Sequence, residues 1–256
     1  HDLTDLSGKK VGIIGTGATA IQIIPEVAKQ AAHLTVFQRR PNWAAPLNNG
    51  PIDDTEMAQI RARYDEIFAN CAQSPGAFEH VPDTRSFYDV PSEKRREFWD
   101  RLYDEPGFSI WLANFPEIFV DEAANAEFSA YIGERIRQRV NDPVVAEKLV
   151  PKDHGFGVQR LPLETGYFET YNRDNVELVD AKETPIERVT RTGIRTSECD
   201  YEFDVIIYAT GFDAFTGAFD YIDIRGIGGE KLRDKWAAGP VTYLGMFISG
   251  FPNLAM

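Results

Sequence analysis

The sequence is poor in the residues that staple or metallate small proteins. Its 256 residues include two cysteines, Cys71 and Cys199, and four histidines. Two cysteines cannot build a disulfide framework, and no Cys/His spacing suggests a metal cluster. No apolar run approaches the ~18 residues of a membrane span. No charged-then-apolar leader opens the chain, so the expected setting is cytoplasmic with no membrane partner. Positive charge is also short, with 27 Lys and Arg against 40 Asp and Glu, net −13. Such a surface cannot displace the counterions of nucleic acid, which excludes a general nucleic-acid binder. The rest is ordinary: 43% hydrophobic and 26% charged residues, in a length that suits one large domain or two small ones around a real core.

The charge deficit is uneven. Residues 1–50 carry net +2, whereas 51–150 and 151–256 carry −9 and −6. An acidic chain with one basic end poses the question of which anion that end meets. The sequence starts at His1 and stops on the apolar stretch Gly250–Met256. From these ends it reads as a segment of a longer polypeptide.

Residues 9–37 read as strand, helix, strand. Lys9–Ile14 is a short Val/Ile run of the kind buried in parallel sheets. Ile21, Ile24, Val27, Ala28 and Ala31 follow at helical spacing, with Pro25 inside the helix as a candidate kink. Leu34–Phe37 is the second strand. Residues 53–150 change character: Asp54–Ala72, Ser92–Asp104 and Asn125–Val140 are charged amphipathic helical runs. From residue 151 the pattern turns to strands at Asn175–Val179, Ile186–Thr190, Ile194–Ser197 and Val205–Ala209. Arg191-Thr192-Gly193 is expected to turn a hairpin, with the glycine at a positive φ.

Between the first strand and the helix stands Gly15-Thr16-Gly17-Ala18-Thr19-Ala20, a match to G-x-G-x-x-G/A. The first glycine permits the tight turn and the second lets the backbone approach a pyrophosphate. The small third position allows close helix–strand packing. The phosphates would meet free N–H groups at the helix start. In this strand–turn–helix context the motif predicts a dinucleotide site on a Rossmann-like, three-layer α/β domain. The end of the second strand selects the nucleotide. A ribose 2′-OH calls for Asp or Glu there, but Arg39 and Arg40 occupy it, 19 and 20 residues beyond Ala20. Guanidinium groups pair with a 2′-phosphate, so NADP(H) is expected over NAD(H).

The residues then show a wider resemblance. The stretches Gly15–Gln22 and Leu34–Trp43 resemble the NADPH domain of Baeyer–Villiger monooxygenases, the class B flavoproteins. The likeness continues through Gly155–Arg160, Tyr167–Val176, Tyr208–Asp213 and Lys235–Pro240. It implies that NADPH reduces a bound FAD, that the reduced flavin adds O2 to form a C4a-peroxide, and that the peroxide converts a ketone to an ester or lactone. It also implies that Arg160, after the Phe156-Gly157 turn, is the active-site arginine, a cation suited to developing oxyanions. Family members commonly carry lysine just before it. Here that residue is Gln159, with Arg40 as a candidate replacement for the charge.

The implied organisation is a first half of the NADP-binding domain at 1–50, a helical insertion at 51–150, a second half at 151–215, and the start of a returning FAD domain at 216–256. The candidate cofactor-binding residues are Gly15, Thr16, Gly17, Ala18, Thr19, Ala20, Gln22, Arg39, Arg40, Gln159, Ala209, Thr210 and Gly211. Arg160 is the candidate catalytic residue, and no metal is expected. No second glycine turn appears, so the rest of the FAD domain is expected in the full-length chain. His33, His80 and His154 read as surface or packing residues, and Trp43 and Trp236 as core aromatics. Two alternatives stay open: an N- or S-oxygenating flavin monooxygenase, and a non-catalytic NADP(H)-binding module.

Overall fold

The computed structural model describes residues 5–74, 76–213 and 216–256. The chain divides into two compact units, His1–Ala209 and Thr210–Met256.

The first unit is organised by a four-stranded parallel sheet. Strand β1 (Lys10–Ile14) leads through helix α1 (Ala18–Gln30) into β2 (His33–Gln38). Helix α1 buries Ala20, Ile21, Ile24, Val27 and Ala28 on one face and runs unbroken through the buried Pro25. Strand β2 is buried from Leu34 to Gln38, as a central parallel strand must be. The short β3 (Ala45–Pro46) follows.

Among the described residues, six α-helices and two short 3-10 turns follow in the 51–150 region, the α-helices being α2 (Asp54–Ala62), α3 (Tyr64–Gln73), α4 (Ser92–Asp104), α5 (Ser109–Leu112), α6 (Glu122–Arg139) and α7 (Pro143–Leu149). The single run expected over Asp54–Ala72 is broken at Arg63, which leaves helical geometry at φ −106°, ψ 8°. Helix α6 begins three residues before the expected start because Asp121 caps it, accepting from the Ala124 N–H at 2.9 Å.

The chain re-enters the sheet after β4 (Leu163–Glu164) and α8 (Tyr167–Thr170). Strand β5 (Val176–Asp180) pairs with β2. Strands β6 (Ile186–Val189), β7 (Gly193–Thr196) and β8 (Asp200–Glu202) make a separate antiparallel sheet. Strand β9 (Val205–Tyr208) closes the parallel sheet in the order β5-β2-β1-β9. Gly193 does not take the positive φ expected of it. It is glycine because strand β8 lies too close: a Cβ there would overlap the carbonyl oxygen of Tyr201.

One hydrophobic core joins the sheet to the helical region. It includes Val11, Ile13 and Leu34 together with Trp99, Phe115, Phe128 and Ile132. A buried ion pair ties the helical region to the segment that leads back to the sheet. Arg139 at the end of α6 donates to Glu164 of β4 at 2.7 Å and to Glu169 of α8 at 2.5 Å. The Glu164 side chain is wholly buried and accepts a second bond from the Tyr167 N–H at 2.8 Å.

The second unit has its own small core of Leu232, Trp236, Ile248 and Phe251, around the short helices α9 (Gly217–Asp220) and α10 (Leu232–Lys235). Among the described residues no helix is long and apolar enough to cross a membrane, and no group of His, Cys, Asp and Glu could hold a metal ion.

Removing one partner of a buried pair strands the other charge. Arg139→Ala is therefore expected to cost about 3–5 kcal/mol. Urea unfolding at an unchanged m-value checks it. A loss below about 1 kcal/mol would show that solvent screens Glu164 in spite of its burial.

Candidate functional site

Parallel strands deliver all their carboxyl ends to one edge of the sheet, and the glycine turn after β1, the arginine pair after β2 and Ala209 after β9 stand there. Gly15 leaves β1 at φ +105°, a left-handed value that favours glycine, and its N–H donates to Phe37 O at 2.9 Å. Gly17 is the residue before α1. A Cβ on it would stand in open space, so nothing in the chain itself fills that position. Helix α1 has no side-chain cap and no acidic residue in its first turn. Its leading N–H groups are left for an anion, and the open cradle at Gly17 is where a pyrophosphate fits. Ala20 is fully buried against the sheet, while Ala18, Thr19 and Gln22 are exposed on the first turns.

Thr16 is buried and points inward. Its hydroxyl donates to the Arg40 carbonyl at 2.9 Å, which pins the arginine pair to the glycine turn. Both arginines are exposed. The Arg40 guanidinium lies 3.8 Å from Asp153. The His154 ring bonds Asp153 at 2.7 Å and holds its carboxyl below the ordinary carboxylate range. Two further bonds run the loops after β2 and α7 side by side: the Trp43 N–H to His154 O at 3.0 Å and the Ala45 N–H to Pro162 O at 3.2 Å.

The 155–160 segment is locked from the helical region. The Asn125 amide on α6 donates to Ile118 O at 2.7 Å and to Phe156 O at 2.8 Å. The Ser129 hydroxyl, one turn on, accepts from the Phe156 N–H at 2.9 Å and donates to Asn125 Oδ1 at 3.2 Å. Phe156 is buried edge-on against Phe128, with ring centres 4.8 Å apart. A Cβ on Gly155 would overlap Asn125 Oδ1, and Gly157 sits at φ +79°. Beyond this clamp Gln159 and Arg160 are exposed. Among the described residues Arg160 has no carboxylate within 4.0 Å, and no hydrogen bond ties it or Gln159 to the glycine turn.

Ala209 continues the ladder past β9, donating to Ile14 O at 2.9 Å beside Gly15. Thr210 and Gly211 open the second unit, Gly211 at φ +90°. Sequence reasoning missed Asn125, Ser129 and Asp153. The i,i+4 spacing of the first two puts them on one helix face, but nothing in the sequence ties that face to residue 156.

No family model matches the chain. Curated relatives do. The chain is 51% identical, over 97% of its length and 46% of the relative's, to 2-oxo-Δ3-4,5,5-trimethylcyclopentenylacetyl-CoA monooxygenase of Pseudomonas putida. It is 41% identical, over 98% of its length and 47% of the relative's, to acetone monooxygenase (methyl acetate-forming) of Gordonia sp.. The crystal structure of OTEMO in complex with FAD and NADP superposes with a TM-score of 0.93 at 51% identity, over 98% of this chain and 46% of that one. The chain thus spans about half the length of the curated relatives it matches. Over nearly all of its residues the chain is homologous to part of these monooxygenases, and likewise to part of a protein named Baeyer–Villiger monooxygenase of Pseudooceanicola batsensis, at 41% identity over 98% of this chain and 46% of the relative.

Proposed function

We propose that this chain is the NADPH-binding part of a flavin-dependent monooxygenase of the cytoplasm. The complete enzyme would convert a ketone, O2, NADPH and a proton to an ester or lactone, water and NADP⁺. The hydrogen bond from Thr16 to Arg40 carries this reading. It fixes two exposed cations beside an uncapped helix start, at the end of the strand that follows the glycine turn. That is the charge pattern of a nucleotide with a pyrophosphate and a 2′-phosphate. Similarity to relatives named for ketone oxygenation supports the reaction class.

Each residue has a role in this reading. Gly15–Ala20 bind the pyrophosphate through backbone N–H groups, and Thr19 and Gln22 face the bound nucleotide. Arg39 and Arg40 take the 2′-phosphate, and Gln159 donates a hydrogen bond nearby. NADPH supplies hydride and FAD supplies the oxygen-activating ring. The chain's single glycine turn is used by the first, so FAD would be held by the remainder of the enzyme, with Ala209, Thr210 and Gly211 at the crossing. Arg160 presents a cation without a carboxylate partner, which stabilises the negative oxygen that develops as oxygen adds to the carbonyl.

Two substitutions in the complete, flavin-loaded enzyme test this. Arg160→Ala is expected to leave flavin reduction by NADPH intact and to lower ketone oxygenation about 10²–10³-fold. Stopped-flow reduction and product analysis read the two steps separately. Normal ester yield in this variant would refute the role of Arg160. Asn125→Ala releases Phe156 and so the segment bearing Arg160. Its expected effect is a smaller loss, about tenfold, in ester formed per NADPH consumed. An unchanged ratio of ester to NADPH would show that the clamp does not serve Arg160.

A further inference from the structure

A second strand end stands beside the arginine pair. Strands β2 and β5 are parallel with Gln38 opposite Asp180, and the Ala181 N–H continues the ladder to Gln38 O at 2.8 Å. The residues that follow, Arg39 and Arg40 on one strand and Ala181 and Lys182 on the other, therefore leave the sheet together. The turn bearing Lys182 is preorganised. Asp180 accepts the Lys182 N–H on its side chain at 2.9 Å and the Thr184 N–H on its carbonyl at 2.8 Å.

Arg39 and Lys182 line one groove of about 600 Å³, together with Asp153. Its cations can be sorted by partner. Lys148 pairs with Glu183 at 2.5 Å and Lys152 with Glu147 at 3.2 Å. Arg40, beside the groove, faces Asp153 at 3.8 Å. Among the described residues, Arg39 and Lys182 are the cations of this groove with no carboxylate within 4.0 Å. Gln159 adds no charge. Besides the lysine-paired Glu147 and Glu183, the groove carries the carboxylates of Asp153 and Asp180, so a dianionic phosphate facing Arg39 meets negative charge already nearby. A second uncommitted cation in the same groove answers that imbalance.

We propose that Lys182 is a specificity residue for the 2′-phosphate of NADPH, acting with Arg39 across the β2–β5 strand ends. The proposal rests on the reading of the glycine turn as an NADPH site. It predicts an effect confined to nucleotides that carry the 2′-phosphate.

The experiment is calorimetric titration of the complete, flavin-loaded enzyme with 2′,5′-ADP and with 5′-AMP, neither of which can transfer hydride. Lys182→Ala is expected to weaken 2′,5′-ADP binding about tenfold and to leave 5′-AMP binding unchanged. Lys182→Arg should bind 2′,5′-ADP like the unaltered enzyme, and Lys182→Glu more weakly than the alanine variant. Unchanged 2′,5′-ADP binding in Lys182→Ala would overturn the proposal, and so would an equal loss for both nucleotides. Arg39→Ala separates the two levels of the argument. If it weakens 2′,5′-ADP while Lys182→Ala does not, only the role of Lys182 fails. If neither variant discriminates the two nucleotides, the NADPH reading of the turn fails with it.

Discussion

The register of β2 between β1 and β5 sets where every candidate group stands. Lys10 pairs with His33 and Ile14 with Phe37 on one side, and Leu34 with Val176 and Gln38 with Asp180 on the other. A slip of one residue would carry Arg40 about 3.3 Å along the sheet and away from the Thr16 hydroxyl. It would also exchange the faces of Leu34 and Val36, both fully buried. The packing that stabilises the sheet is therefore the same packing that holds a glycine turn, an arginine pair and a lysine at one edge.

The helical region supports this edge from the side. Its helices share one core with the sheet, and Trp43 after β2 meets Phe156 at 6.2 Å between ring centres. Helix α6 does two jobs through residues about three to four turns apart. Asn125 and Ser129 hold the Gly155–Gly157 turn near its start, and Arg139 anchors β4 and α8 at its end. The region carries net −9 with its arginines already counted, and several of these pair with its own carboxylates. Arg95 pairs with Glu127 at 2.7 Å and Arg96 with Glu134 at 2.5 Å. Such pairs orient exposed helices and screen their carboxylates, so the acidic region can adjoin a basic edge.

Local chemistry made much of this legible and left the rest hidden. Short Val/Ile runs and a glycine turn announce β1, α1 and β2 because parallel strands and helix starts have residue-level requirements. Ser92–Asp104 is read to the residue because proline precedes it and its buried face repeats at helical spacing. Gly193 was read for the wrong reason. A positive φ is a local property, whereas the approach of β8 depends on a strand that follows a turn later. The Asn125–Phe156 and Arg40–Asp153 contacts span 31 and 113 residues, and no periodicity carries information over such distances. The same is true of Lys182, which borders Arg39 only because β5 pairs with β2.

Asp153 makes the basic edge more than a sum of cations. A carboxylate next to a phosphate site weakens binding by repulsion, and the His154 hydrogen bond keeps this one ionised. It also gives the Arg40 guanidinium a partner while the Thr16 hydroxyl holds the Arg40 backbone. The two arginines are thereby made unequal: Arg40 is tethered at both ends and Arg39 is free to face an anion. A tethered cation loses less conformational entropy when a ligand arrives, since its side chain is already ordered. A further free positive charge in the groove counters the repulsion from Asp153 and Asp180, and the strand register supplies one at residue 182. In the proposed site, discrimination between a 2′-hydroxyl and a 2′-phosphate would rest on the balance of Arg39, Arg40 and Lys182 against Asp153 and Asp180, arranged by backbone pairing rather than by any contiguous motif.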